Sequence, residues 1–204
     1  MNALSHYPAD LQIDYPDHPL DKLTSFFRPL TVIPIALLLA LLSGPGAQHQ
    51  LPLFLYGGGV TFAATALMLR FRHKYPRWWY DWNVALVKFS TRVGAYICLM
   101  RDEYPSTDQE QAVHIDLPYP DVKNLSGGMP LVKWSLAIPH YIVLWTLWVA
   151  AIFCVIVAWF AILFTGHYPR TLFNFVAGVF RWSLRVAAYA FLLTTDEYPP
   201  FSLE

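Results

Sequence analysis

The chain has 204 residues, of which 56% are hydrophobic, 17% aromatic and only 14% charged. A soluble domain usually carries about 25% charged residues, so this composition is typical of an integral membrane protein. The formal net charge is zero, which gives no support for a nucleic-acid partner. Cys98 and Cys154 fit no disulfide framework or metal motif, and we expect no metal and no cofactor.

Three short segments of the first half return in the second half with a step of 93 or 94 residues. The pairs are His73–Arg77 with His167–Arg170, Arg92–Tyr96 with Arg185–Tyr189, and Asp102–Pro105 with Asp196–Pro199. A repeat of this length indicates a duplicated structural unit. We therefore predict two tandem units, residues 1–105 and 106–204.

Each unit opens with a polar leader that is rich in proline. Ile13–Asp17 in the first unit resembles Ile115–Asp121 in the second. Proline spacing disfavours helix, so the leaders are predicted to form short extended segments or turns at the membrane surface.

A long apolar element follows each leader. In the first unit it covers residues 30–70 and is interrupted by Ser43–Gln50, a strong turn signal, which predicts a helical hairpin. In the second unit the run over residues 131–165 is unbroken. Leu131–Phe164 as one helix would reach about 51 Å, against a hydrocarbon core of about 30 Å. This element is therefore either one overhanging helix or a hairpin.

The charges beside these elements favour the hairpin. Lys22 and Arg28 precede the first apolar run and Arg70 follows it, while Lys133 and Arg170 flank the second. Under the positive-inside rule both ends of each element are cytoplasmic. The stretch 146–155 lacks Gly, Pro and Asn for a turn, but the orientation rule serves as the tie-breaker. The fold class is then an all-α, multi-pass membrane protein of two tandem repeats with cytoplasmic termini.

A helix with a narrow polar stripe comes next, over residues 78–100 and 171–193. The stripe residues recur at i, i+4, i+7 and i+11, which places them on one helix face. They are Asp81, Ala85, Lys88 and Arg92 in the first unit, and Asn174, Gly178, Arg181 and Arg185 in the second. Such a helix either lies in the membrane interface or spans the bilayer with its stripe facing other helices. The first arrangement is favoured.

The basic pairs Lys88/Arg92 and Arg181/Arg185 are the candidate binding residues. Two cations at i, i+4 can hold one anionic group, such as a lipid phosphate. The alternative is an internal ion pair of Arg92 or Arg185 with the carboxylates that end each helix.

The other repeated residues are interpreted as structural. Adjacent carboxylates suggest acid–base chemistry, but neighbours in sequence point in different directions, so a solvated stop and salt-bridge role is favoured. His140, inside an apolar run, is expected to hydrogen-bond a neighbouring helix. The structural set is His73, Tyr75, Pro76, Asp102, Glu103, His167, Tyr168, Pro169, Asp196 and Glu197.

The second unit resembles a bacterial membrane-protein family catalogued as domain of unknown function 4389. The resemblance rests on Ala137–His140, Ala158–Arg170, Arg181–Val186 and Asp196–Phe201. In the first unit Pro34 stands where Pro139 stands, but Ile35 replaces His140. The resemblance implies a location in the bacterial inner membrane and supplies no reaction.

These observations predict a non-enzymatic integral membrane scaffold or accessory subunit. Its expected partners are membrane lipids, a partner membrane protein or further copies of the chain. The first alternative is an oligomeric transporter or channel for an anion or lipid. The second is a lipid-headgroup enzyme, which would require His167, Asp196, Glu197 and Arg185 to converge. No nucleotide-binding, metalloprotease or nucleophile-elbow motif is present.

Overall fold

The computed structural model describes residues 7–43, 60–72, 74–107, 109, 111–120 and 130–204. Most of the described residues are helical. The elements in chain order are β1 (Asp10–Ile13), α1 (Lys22–Ser43), α2 (Val60–Leu67, continued by a π-helical turn Met68–Arg72), α3 (Arg77–Ile97), β2 (Val113–Asp116), α4 (Pro130–Leu136), α5 (Ile138–Thr165) and α6 (Arg170–Ala190).

Two of these helices are long and apolar enough to cross a membrane. They are Lys22–Leu42, with a mean hydropathy of 2.0, and Ile138–Thr165, with 2.8. Only 22% of each most apolar window is buried inside the protein. Both helices therefore leave most of their apolar surface without a partner in the described part of the chain.

The hairpin predicted for the second unit is wrong, because α5 continues without a break from Ile138 to Thr165. The absence of a helix breaker over residues 146–155 prevails over the charge argument. The break comes earlier instead, at Ala137 between α4 and α5, where Pro139 lies in the first turn of α5. The turn predicted in the first unit lies, apart from Ser43, outside the described residues.

The striped helices form close to their predicted positions, as α3 and α6. Each begins directly after a proline, Pro76 or Pro169, whose fixed φ suits entry into a helix. Shortly after each helix a leucine adopts a positive φ, +62° at Leu99 and +56° at Leu193. This left-handed conformation turns the chain sharply away from the helix axis.

The leaders form a small antiparallel sheet, so the all-α class is wrong in this respect. β1 pairs with β2 in a register that joins Asp10 to Asp116 and Ile13 to Val113. Leu11, Ile13 and Val113 are buried. Strand alternation explains the pattern, since every second side chain points to the same face.

The elements stack in three layers. The sheet packs on α3 and α6, while α1 packs on α3 and α5 packs on α6. α6 is the central helix and is buried along most of its length. The carboxyl-terminal tail lies so close to it that a Cβ at Gly178 would be 2.8 Å from the carbonyl oxygen of Leu203. Only glycine allows that approach.

Candidate functional site

The basic stripe of α6 faces the strand β1. Arg181 Nε donates a hydrogen bond of 3.0 Å to the carbonyl of Leu11, and Nη1 donates one of 3.0 Å to the carbonyl of Leu203. The Asp10 carboxylate lies 3.6 Å from Arg181 Nε. Arg181 therefore joins the leader of the first unit and the carboxyl-terminal tail to α6.

Arg185, one turn further along α6, is buried, with 5% of its surface exposed. Burial lowers the pKa of Arg185, and the charge of Arg181 adds to this. Within the described residues, Arg185 Nε and Nη1 have no hydrogen-bond partner. Buried donors without a partner are unfavourable, and both atoms lie inside the protein, out of reach of a ligand at its surface.

The stripe of α3 is less enclosed. Arg92 Nη1 donates a hydrogen bond of 2.8 Å to the carbonyl of Ser106. Lys88 is half-buried and makes neither a hydrogen bond nor an ion pair with any residue in the described ranges. Binding of a lipid or anion by these four stripe residues stays a prediction, as does an anion route between chains.

The carboxylates that end the helices have other partners than Arg92 and Arg185. In the first unit the Asp102 carboxylate forms an ion pair with Arg28, which is buried in α1. The Arg28 guanidinium also donates to the carbonyls of Arg101, at 2.8 Å, and Tyr96, at 3.2 Å. It lies 4.4 Å from the centre of the Tyr96 ring. A carboxylate, two carbonyls and an aromatic face thus surround the buried cation, while Arg28 Nε has no hydrogen-bond partner among the described residues.

The second unit contains the same arrangement around Lys133 of α4. Lys133 Nζ lies 2.5 Å from Asp196 Oδ1, donates a hydrogen bond of 2.6 Å to the carbonyl of Thr195, and lies 5.3 Å from the centre of the Tyr189 ring. Burial lowers the pKa of Lys133, and Asp196 opposes that shift. We call these two arrangements the cation anchors.

The partners in the anchors occupy matching sequence positions. Asp102 and Tyr96 correspond to Asp196 and Tyr189, while Arg28 and Lys133 each precede the aligned prolines Pro34 and Pro139 by six residues. The sequence contained a usable signal, because a cation just before an apolar run needs a partner when the helix packs. The partners of these cations were not predicted because each ion pair joins elements that are far apart in the chain.

Each leader also contacts the Tyr-Pro-Arg motif of the other half. The Tyr15 hydroxyl donates a hydrogen bond of 2.6 Å to the carbonyl of Tyr168, and the Arg170 guanidinium lies 4.6 Å from the Tyr15 ring centre. In the first half, the Tyr119 hydroxyl donates to the carbonyl of Tyr75. Arg77 lies over the Tyr119 ring at 5.0 Å.

The remaining repeated residues have structural positions. Tyr75 and Tyr168 are buried, and their hydroxyl and carbonyl groups face the protein. His167 is exposed, with Nδ1 2.9 Å from the carbonyl oxygen of Thr165, whereas His73 lies outside the described residues. Trp182 Nε1 of α6 donates a hydrogen bond of 3.2 Å to His140 Nδ1, which confirms the expected contact between helices.

Residues 130–202 match a family model described as domain of unknown function (DUF4389). The match confirms the resemblance found in the sequence. It covers α4, α5, α6 and nearly all of the carboxyl-terminal tail, including both charged members of the second cation anchor. No curated protein and no solved structure matches the chain.

The segment that matches the family model does not bring together the four residues that a headgroup enzyme would need. His167 precedes α6 and Asp196 follows it, so a helix of 21 residues, about 32 Å long, separates them. Glu197 is exposed, and its backbone carbonyl accepts a hydrogen bond of 3.1 Å from Tyr7. Glu103 in the first unit pairs with Arg101 at 2.6 Å. In the described ranges no three His, Cys, Asp or Glu side chains form a possible metal site.

Proposed function

We propose that the chain is a non-enzymatic integral scaffold or accessory subunit of the bacterial inner membrane, built from two tandem units. The observation that carries the proposal is the apolar face formed by α1 and α5. Large apolar side chains are exposed from end to end of both helices, including Leu23 (66%), Leu41 (72%), Ile142 (65%) and Phe164 (79%). Continuous apolar surfaces of this kind are typical of membrane or protein interfaces.

The buried charges support a structural role. Arg28 and Lys133 each form an ion pair and a hydrogen bond with groups of the protein itself, which favours a structural role over action on a substrate. Removing one member of a buried ion pair leaves an uncompensated charge, and such pairs therefore constrain how elements pack. The matched cation anchors also support the proposal that the two units are structural repeats.

Lipids and membrane proteins are the proposed partners. The apolar face would contact acyl chains or a neighbouring membrane helix, and the stripe residues Lys88, Arg92, Arg181 and Arg185 would contact anionic groups. This division of contacts is typical of a scaffold, which binds without transforming its ligand.

Membrane fractionation followed by native mass spectrometry tests the proposal. The chain should remain in the membrane pellet after an alkaline carbonate wash. When it is extracted gently, it should carry bound lipid, a partner protein or a second copy. Recovery in the soluble fraction, or extraction as a bare monomer without lipid, would contradict the proposal.

A further inference from the structure

We infer that the apolar face rests in one leaflet of the bilayer, with α1 and α5 lying along the membrane plane and the sheet facing water. This orientation rests on the proposed membrane location and adds to it the way in which the chain meets the lipid. Two observations lead to it, the layer order of the fold and the charges on its opposite face.

The sheet runs beside α6 rather than beyond one of its ends. Arg181, near the middle of α6, bonds the carbonyl of Leu11 in β1. Before β1 in the chain, the Tyr7 hydroxyl donates a hydrogen bond of 3.3 Å to the carbonyl of Arg185. After β1, the Tyr15 ring packs on Phe173 with ring centres 5.1 Å apart. The strand and its flanks therefore follow α6 through about three turns.

α5 runs antiparallel to α6 on the side away from the sheet. The two helices are joined by the short segment 166–169, and Tyr141 at the start of α5 lies 6.0 Å from Phe191, just after the end of α6. Between these points Trp148 packs on Phe180 with ring centres 5.0 Å apart. α5 thus lies side by side with α6, the helix that β1 follows on its other side.

The outer face of the sheet region is charged and exposed. The exposed fractions of the side chains are 64% for Asp10, 45% for Asp14 and 59% for His114. If α5 crossed the bilayer, these groups would lie near the middle of the hydrocarbon. Charged groups and open sheet edges are strongly disfavoured there. If α5 lies in the membrane plane, all of them are in water.

The same orientation explains why α5 is apolar on every side. One side meets α6, and the other exposes a stripe that includes Ile142, Val149, Phe153, Val157 and Phe164. A helix that is buried on one side and faces lipid on the other has the hydropathy of a spanning helix without crossing. Its length of about 42 Å exceeds the hydrocarbon thickness of about 30 Å, whereas an in-plane helix has no such limit.

α1 extends this apolar face, and α3 lies between the face and the sheet. Phe26 of α1 stacks on Trp159 of α5 with ring centres 6.3 Å apart, so the two exposed surfaces adjoin. In the middle layer α3 exposes Trp78 (68%) and Trp82 (39%). Tryptophan is enriched at the headgroup level, which is the depth at which the proposed orientation places this layer.

Spin-label depth measurements test the orientation in vesicles of phosphatidylethanolamine and phosphatidylglycerol. Cys154→Ala removes the half-buried thiol, whereas burial raises the pKa of Cys98 to about 12, so Cys98 is left in place as an unreactive thiol. Labels are then introduced one at a time by Ile142→Cys, Phe153→Cys and Phe164→Cys. Gln12→Cys on the exposed side of β1 is the matched control in water.

An in-plane α5 predicts nearly equal depths for the three labels, within about 5 Å, and full exposure of the control label to a water-soluble nickel complex. A central label deeper by about 15 Å than both end labels would overturn the inference, because that is half of the hydrocarbon thickness. Polarised infrared dichroism of the unmodified protein in aligned bilayers measures the orientation of the helix axes without any substitution. Helix axes parallel to the bilayer agree with the inference, and axes along the normal contradict it.

The two proposals fail in different ways. Protein that does not float with the vesicles contradicts the membrane location itself. If the protein floats but the label at the centre of α5 lies much deeper than the end labels, only the in-plane orientation is contradicted. The scaffold proposal then remains intact.

Discussion

The two halves of the chain differ most in their apolar elements and agree most in their cation anchors. In the first half Pro34 and Pro76 are 42 residues apart, whereas in the second Pro139 and Pro169 are 30 residues apart. The shorter distance is nearly filled by the continuous helix α5. Even so, Arg28 and Lys133 find equivalent partners. The anchors therefore depend on helix packing and not on the length of the apolar connection.

The largest expected effect is the loss of a cation anchor. Lys133→Ala removes the buried cation that pairs with Asp196 and should lower the free energy of unfolding by about 3–5 kcal/mol. Arg28→Ala should cost a similar amount if the two anchors are equivalent. Thermal unfolding in detergent, followed by circular dichroism, measures both. A double variant, Lys133→Met with Asp196→Asn, should recover much of the loss because no lone charge remains. A loss of stability in only one of the two variants would contradict the equivalence of the two anchors.

The carboxyl-terminal tail offers a second, smaller contrast. Gly178→Ala places a Cβ 2.8 Å from the Leu203 carbonyl and should destabilise the protein by about 1–3 kcal/mol. The matched position in the first half is Ala85, which is exposed. Ala85→Gly should cost no more than about 1 kcal/mol, the difference in helix propensity. Equal unfolding temperatures for Gly178→Ala and the wild type would contradict the prediction that the close packing of Leu203 on Gly178 stabilises the protein.

The contacts between each leader and the other half are expected to contribute less to stability. Tyr15→Phe removes the hydrogen bond to the Tyr168 carbonyl but keeps the ring beneath Arg170, at a cost of about 1 kcal/mol. Tyr119→Phe is the equivalent change in the other leader. Chemical denaturation of the two variants should give matching losses. A change in only one of them would indicate that the leaders are not equivalent.

Lys88 should show the smallest effect on stability. Lys88→Ala is expected to change the free energy of unfolding by less than about 0.5 kcal/mol, because the side chain has no partner in the described ranges. Arg181→Ala is the matched variant on α6 and should destabilise more, since it releases both Leu11 and Leu203. The same denaturation experiment compares them. Equal losses would contradict the different placement of the two stripes.

The sequence predicted the helices α3 and α6 and the extended leaders, because proline position and polar spacing act locally. It did not predict that β1 and β2 pair with each other, since strand pairing joins residues about 100 positions apart. The partners of Asp102 and Asp196 were missed for the same reason. The hairpin in the second unit failed because flanking charge was weighted above the local absence of a turn. Hydropathy alone also does not distinguish a helix that crosses lipid from one that lies in it.

The contrast between the apolar face and the polar face tests the membrane role most directly. Phe153→Lys combined with Val157→Lys places two charges on the exposed stripe of α5, and Gln12→Lys places one on the exposed side of the sheet. The purified proteins are mixed with vesicles of zwitterionic lipid and separated by flotation. The wild type and Gln12→Lys should float, while the double-lysine variant should remain at the bottom with an unchanged circular dichroism spectrum. Wild-type protein that does not float, or a double-lysine variant that floats equally well, would contradict membrane attachment through α1 and α5.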